Sequence, residues 1–132
     1  FSIDVGRPNK IHFFESPIDL LSYWSIQENQ LQNTRLISMN GLKPKTVAQS
    51  YIEARREGLS IKEMVLAVDN DQGGKEFIDK MNQIVNADLI RADIPKGAKD
   101  WNDELKKNGK SIQPVASRLR NKQTEQELSM NG

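Results

Sequence analysis

The chain has 132 residues, with 19 Lys plus Arg against 18 Asp plus Glu and a formal net charge of +1, the size of one domain and not the charge of a strongly basic nucleic-acid binder or an acidic tail protein. It has no cysteine and a single histidine, His12, which excludes disulfide frameworks, thiolate zinc sites, cysteine nucleophiles and multi-histidine centres. With 36% hydrophobic residues and a mean hydropathy of −0.67, the composition suits a packed core but holds no apolar run near the roughly 20 residues a bilayer requires, so any chemistry falls to carboxylates.

Phe1 to Lys10 carries Asp4, Arg7 and Pro8 and does not read as a secretory signal, which leads us to expect a cytoplasmic chain. The starting Phe1 suggests a fragment of a longer protein. Phe1 to Val5 reads as an extra strand near the first one. Ile11-His12-Phe13-Phe14 is β-prone and stops at Glu15, and Ser16 followed by Pro17 is an N-cap and first-turn signal. Ile18, Leu20, Leu21, Trp24 and Ile26 then recur at helical spacing in a helix expected to reach Leu31. Arg35 to Met39 predicts a strand closed by the turn pair Asn40-Gly41. A second helix is predicted from Pro44 to Arg56, with Val47, Ala48, Tyr51 and Ile52 facing inward. Met64-Val65-Leu66-Ala67-Val68 is five apolar residues in a row, the pattern of a strand covered on both faces.

Asp69-Asn70-Asp71-Gln72-Gly73-Gly74 breaks that strand, and a third helix follows to about Val85 with Phe77, Ile78, Met81 and Ile84 on one stripe. Asp88 to Ile94 predicts another strand, and Trp101 to Lys107 a short helix. After a break at Gly109 to Pro114, residues Val115 to Leu128 read as a polar helix or tail, so that residues 1–110 form the domain and 111–132 an appendage. The β-α-β-α-β-α-β order with short connections predicts an α/β fold with a mainly parallel sheet of about four strands flanked by helices.

Acids fall directly after two predicted strands: Glu15 after Phe14, and Asp69 with Asp71 after Val68. The carboxyl ends of strands form the ligand edge of an open parallel sheet, and residues i and i+2 of an extended segment point the same way. Three carboxylates at one edge repel unless a cation neutralises them, and an all-oxygen set favours Mg²⁺ or Mn²⁺. Asp71 is equally the residue type of a helix N-cap. A calcium loop starting at Asp69 fails at its fifth position, Gly73, and its twelfth, Lys80. No G-x-G-x-x-G or P-loop pattern follows a strand.

These residues resemble the Toprim (topoisomerase-primase) domain. The carriers are Phe13-Phe14-Glu15-Ser16-Pro17-Ile18-Asp19, then Val65-Leu66-Ala67-Val68-Asp69-Asn70-Asp71-Gln72-Gly73-Gly74, then Lys99-Asp100-Trp101-Asn102-Asp103-Glu104-Leu105. The last segment is similar to a branch found in plasmid and mobile-element primase-like and conjugation-associated proteins. The resemblance implies that Glu15, Asp69 and Asp71 are the catalytic and metal-binding acids, with Mg²⁺ or Mn²⁺ as cofactor. Ser16 stands where the family usually has Gly. Asp19, Asp100 and Asp103 are accessory candidates, though Asp19 fits a solvated helix position and Asp100 a helix cap equally well.

The function this implies is metal-dependent nucleotidyl or phosphoryl transfer on nucleic acid, as the catalytic module of a primase-like replication or plasmid-transfer protein. The alternatives are a non-catalytic DNA- or partner-binding module and a nuclease. Single-stranded or plasmid DNA and other domains of the parent protein are the expected partners, with no membrane. Lys106, Lys107, Lys110, Arg118, Arg120 and Lys122 occur with no acid among them and are the candidate phosphate contacts, although a solvated helix face has the same composition.

Overall fold

The computed structural model describes residues 1–112. Its strands are β1 (Ser2–Val5), β2 (Lys10–Phe14), β3 (Thr34–Ser38), β4 (Glu63–Leu66) and β5 (Ile90–Ala92). Its helices are α1 (Pro17–Gln27), α2 (Pro44–Arg56), α3 (Gln72–Ile84) and α4 (Trp101–Lys107), with a 3-10 turn at Glu28–Gln30 after α1. The sheet runs β1-β3-β2-β4-β5. β2 pairs in parallel with β3 and β4, and β4 with β5, so the predicted α/β architecture is the one that forms.

β1 differs from expectation in its place. It pairs antiparallel with β3 at the outer edge rather than beside β2, with Ser2 opposite Ile37 and Val5 opposite Thr34. Arg35 fastens that edge, its guanidinium reaching Asp4 at 2.8 Å and Glu57 at 2.8 Å. α2 and α4 keep their predicted limits, whereas other boundaries shift by a few residues. α1 stops at Gln27, where Glu28 takes a φ of 52°, and β5 keeps only three residues of the predicted Asp88 to Ile94.

Alternation along the central strands divides the core in two. Ile11, Phe13, Met64, Leu66 and Val68 pack on one face with Val47 and Ala54 of α2 and Phe77 and Met81 of α3. Phe14 and Ala67 pack on the other with Leu20, Tyr23 and Trp24 of α1 and Trp101 of α4. Phe13 and Phe14 are fully buried, each worth about 2 kcal/mol of apolar burial. α2 turns Val47, Ser50 and Ala54 inward, leaving the expected core residues Ala48 and Ile52 exposed. Ile84 of α3 is likewise exposed.

His12 points to the α1 face of the sheet, buried against the Tyr23 ring with neither nitrogen bonded among the described residues. Burial, with the positive charges of Lys10 and Arg91, lowers its pKa to about 3, so it is a neutral packing group. The predicted Val115 to Leu128 helix, with Arg118, Arg120 and Lys122, lies outside the described residues. Among the described residues no helix is long and apolar enough to cross a membrane.

Candidate functional site

The carboxyl ends of β2 and β4 lie side by side, because Phe13 pairs with Leu66 and the Ala67 N–H donates to the Phe13 carbonyl at 2.8 Å. Two residues beyond Phe13 and Ala67, the chains carry Glu15 and Asp69. Glu15 Oε2 accepts the Asp69 backbone N–H at 2.7 Å, so these two acids meet across a sequence gap of 54 residues. The Glu15 carbonyl accepts the Gly41 N–H at 2.8 Å. Gly41 has a φ of 122°, a conformation open to glycine and strained for other residues. The Asn40-Gly41 turn therefore does more than close β3: it holds the backbone of the acid residue.

Asp69 Oδ1 is buried without a partner among the described residues. Burial first, then the negative charge of Glu15, pushes the Asp69 carboxyl up to about 7, with Asp19 and Asp71 adding to the effect. Asp71 caps α3, its Oδ1 accepting the Gly74 N–H at 2.8 Å. α3 can start this close to the acids only because residue 74 is glycine: a Cβ there would lie 2.1 Å from the Asp69 carbonyl oxygen.

Ser16 occupies the family's glycine position without strain. Its backbone is extended (φ −142°, ψ 159°), and its hydroxyl caps α1 by accepting the Asp19 N–H at 3.2 Å and donates to Asp19 Oδ2 at 2.9 Å. Asp19 is buried, not solvated, and its Oδ1 accepts the Asn102 N–H at 3.2 Å, tying α1 to the start of α4. Burial raises the Asp19 pKa, with the charges of Asp100 and Asp103 in support and the bonds from Ser16 and Asn102 opposing. Asp100 is the N-cap of α4, accepting the Asp103 N–H at 2.8 Å, and Asp103 is exposed.

The structure thus brings Glu15 and Asp69 together, sets Asp71 and Asp100 as helix caps, and makes Asp19 a link between α1 and α4. Among the described residues no group of three or more acid or histidine side chains is arranged to hold a metal ion. The chemistry of the donors nonetheless suits a hard cation: all are carboxylate oxygens, and Asp69 has one buried oxygen with no partner among the described residues in a field of like charge. Of the basic candidates, Lys107 Nζ donates to the Gly97 carbonyl at 2.7 Å and Lys110 Nζ to Glu28 at 3.1 Å, whereas Lys106 is exposed.

Sequence reasoning missed Asn70, whose backbone N–H and side-chain amide reach the Lys99 and Pro95 carbonyls at 2.7 and 3.0 Å. It also missed the Trp101 indole N–H, which donates to the Ala67 carbonyl at 3.0 Å. A polar residue between two acids and a tryptophan inside a polar segment were the only signals available.

The Toprim-like family description matches residues 12–105. Among curated proteins, an uncharacterized protein of Bacillus anthracis is 37% identical over 122 residues, covering 83% of this chain and 36% of that protein. The chain therefore spans about a third of the length of that relative. Among solved structures, the primase fragment of the bacteriophage T7 primase-helicase protein matches with a TM-score of 0.52 and 21% identity, over 86% of this chain and 44% of that one. The primase domains bound to the T7 lagging-strand DNA polymerase, an RNA/DNA hybrid and dTTP match at 0.52 and 19%, over 76% and 48%. At such identities the likeness establishes the fold, and function has to be argued from the site.

Proposed function

This chain belongs to the Toprim-like family, and from that premise we propose that it is the Mg²⁺-binding module of a primase-like nucleic-acid-processing protein, acting in nucleotidyl transfer as one part of a longer chain. The observation that carries the reading is the Asp69 carboxyl, set beside Glu15 with one oxygen unpartnered among the described residues and its pKa pushed up to about 7 by burial first and then by neighbouring acids. An acid left in that condition is a place where positive charge is missing. Asp69 and Glu15 are the residues that would hold the cation, with Asp71 at the mouth of α3 beside them. Bound there, Mg²⁺ would supply neutralisation of phosphate charge.

The chain's own residues do the rest. Glu15 holds the β4–α3 turn against the end of β2, and Gly74 lets α3 begin beside it. Neither tyrosine is placed as a nucleophile for this edge: Tyr23 is buried with its hydroxyl donating to Asp93, and Tyr51 lies under the Arg55 guanidinium on α2. Primer extension uses the hydroxyl of the growing strand and needs no protein nucleophile, which favours it over tyrosine-based cleavage. Lys106, with Lys107 and Lys110 once displaced from their intramolecular bonds, is the proposed phosphate contact.

A second reading, a Toprim-fold module that binds DNA or a partner without turnover, is favoured by one observation: Asp71 caps a helix and does not join Glu15 and Asp69 in a three-acid group. Calorimetric titration of Mn²⁺ into the wild-type chain and Asp69→Ala separates the two. Saturable binding that disappears in the variant supports the metal-dependent module. Salt-sensitive DNA binding that is equal in both proteins, with no metal binding in either, supports the second reading and overturns the first.

A further inference from the structure

Five residues between β5 and α4, Pro95 to Lys99, form a strap along the flank of the acid turn. α4 holds the strap from one side. Glu104 Oε1 accepts the N–H groups of Lys96 and Gly97 at 3.0 and 2.7 Å, and Lys107 Nζ donates to the Gly97 carbonyl. The fit is close enough that a Cβ at Gly97 would lie 2.8 Å from Glu104 Oε2. From the other side, among the described residues, the strap's hydrogen bonds come from Asn70, through its amide to the Pro95 carbonyl and its backbone N–H to the Lys99 carbonyl.

Asn70 sits between Asp69 and Asp71, on a turn that its own charges push apart. Glu15, Asp19 and Asp71 all act on Asp69 with like charge, and like charges in a partly buried setting repel strongly. Glu15 restrains the turn on the β2 side. Among the described residues, Asn70 is what ties it by hydrogen bonds to a rail that has its own independent anchor in α4.

We propose that Asn70 is a positioning residue: by pinning the acid turn to the Pro95–Lys99 strap, it holds Asp69 beside Glu15, the two acids that would hold the cation. This inference rests on the metal-binding reading above. It adds a route, α4 to strap to Asn70 to Asp69, along which a change at Glu104 reaches the acids without touching them.

Calorimetry with Mn²⁺ on the 132-residue chain tests it, with thermal melting alongside. Outer groups that orient metal ligands change affinity by roughly 10–100-fold when removed, so Asn70→Ala is expected to weaken Mn²⁺ about tenfold. Asn70→Gln, which keeps an amide donor, recovers most of that loss. Glu104→Ala weakens binding in the same direction, and the double variant is no weaker than the worse single one, because both act through one strap. If Asn70→Ala does not fold, Asn70→Gln and Glu104→Ala carry the same comparison. A lowered melting temperature with unchanged Mn²⁺ affinity makes Asn70 a merely structural residue and overturns the inference. Losses that multiply in the double variant overturn the shared route. A wild-type chain that binds no Mn²⁺ overturns the metal reading and this inference with it, whereas wild-type binding that Asn70→Ala retains in full overturns this inference alone.

Discussion

Asp69 concentrates the site's chemistry in one carboxyl, and its effect on stability has a definite sign. Its ordinary pKa is 3.8, and in the folded chain burial and neighbouring acids bring it to about 7. Between those values the unfolded carboxyl has lost its proton while the folded one retains it. The folded state then binds more protons, so stability falls as pH rises from about 4 to about 7 and levels off above that. Thermal melts across this range should show the fall in wild type and a flatter profile in Asp69→Asn. Mn²⁺ affinity should rise over the same range, because the cation competes with that proton. Gly74 gives a second prediction. Gly74→Ala would drive a methyl group into the Asp69 carbonyl, so a loss of about 3 kcal/mol in denaturant unfolding is expected. The acids themselves were legible in the sequence, since Glu15 and Asp69 interrupt buried strands. Their unequal roles were not. Whether Asp71 caps a helix or faces a ligand depends on φ and ψ at one residue, and sequence spacing does not specify those.

α4 is only seven residues long, yet three contacts at its first turn fasten it. Asp100 caps it, the Asn102 N–H reaches buried Asp19, and the Trp101 indole crosses to the Ala67 carbonyl. A helix this short is marginal in isolation, so these contacts decide whether it forms. Trp101→Phe keeps much of the apolar surface but orphans the Ala67 carbonyl, and a cost of about 2 kcal/mol is expected from chemical denaturation. The helix was predicted with its observed limits, and Trp101 and Leu105, at i and i+4, form its buried face. Its partner was not predicted. Nothing in the Lys99 to Leu105 segment says that Asp19, 83 residues before Asn102, is the carboxylate waiting for it. The inward face of α2 was misread for a related reason. Ser50 is buried there while Ile52 faces out, so hydrophobicity alone pointed to the wrong stripe.

For the molecule as a whole, the βα alternation disclosed the parallel core, and the family match over residues 12–105 agrees with it. The position of β1 was hidden, because a four-residue strand carries no register information until its partner is known. The net charge of +1 means that nucleic-acid affinity, where present, comes from a local patch. It should fall steeply with salt, and Lys106→Ala should lower the slope of log affinity against log salt by about 1. Filter binding at several salt concentrations would measure this.

The strand order β1-β3-β2-β4-β5 also bears on how the chain is made. Within this domain β1 is made before the other strands, but its partner β3 begins at Thr34, so β1 stays unpaired until some thirty further residues have been synthesised. The sheet then grows away from β2 in both directions, and β5 closes the far edge last. Since domains emerge from the N-terminus onward, nascent chains arrested before β3 clears the exit tunnel would carry an open strand edge, a ready template for wrong pairing. Arg35, at the point where β1, β3 and the end of α2 meet, marks the step at which β1 gains its partner.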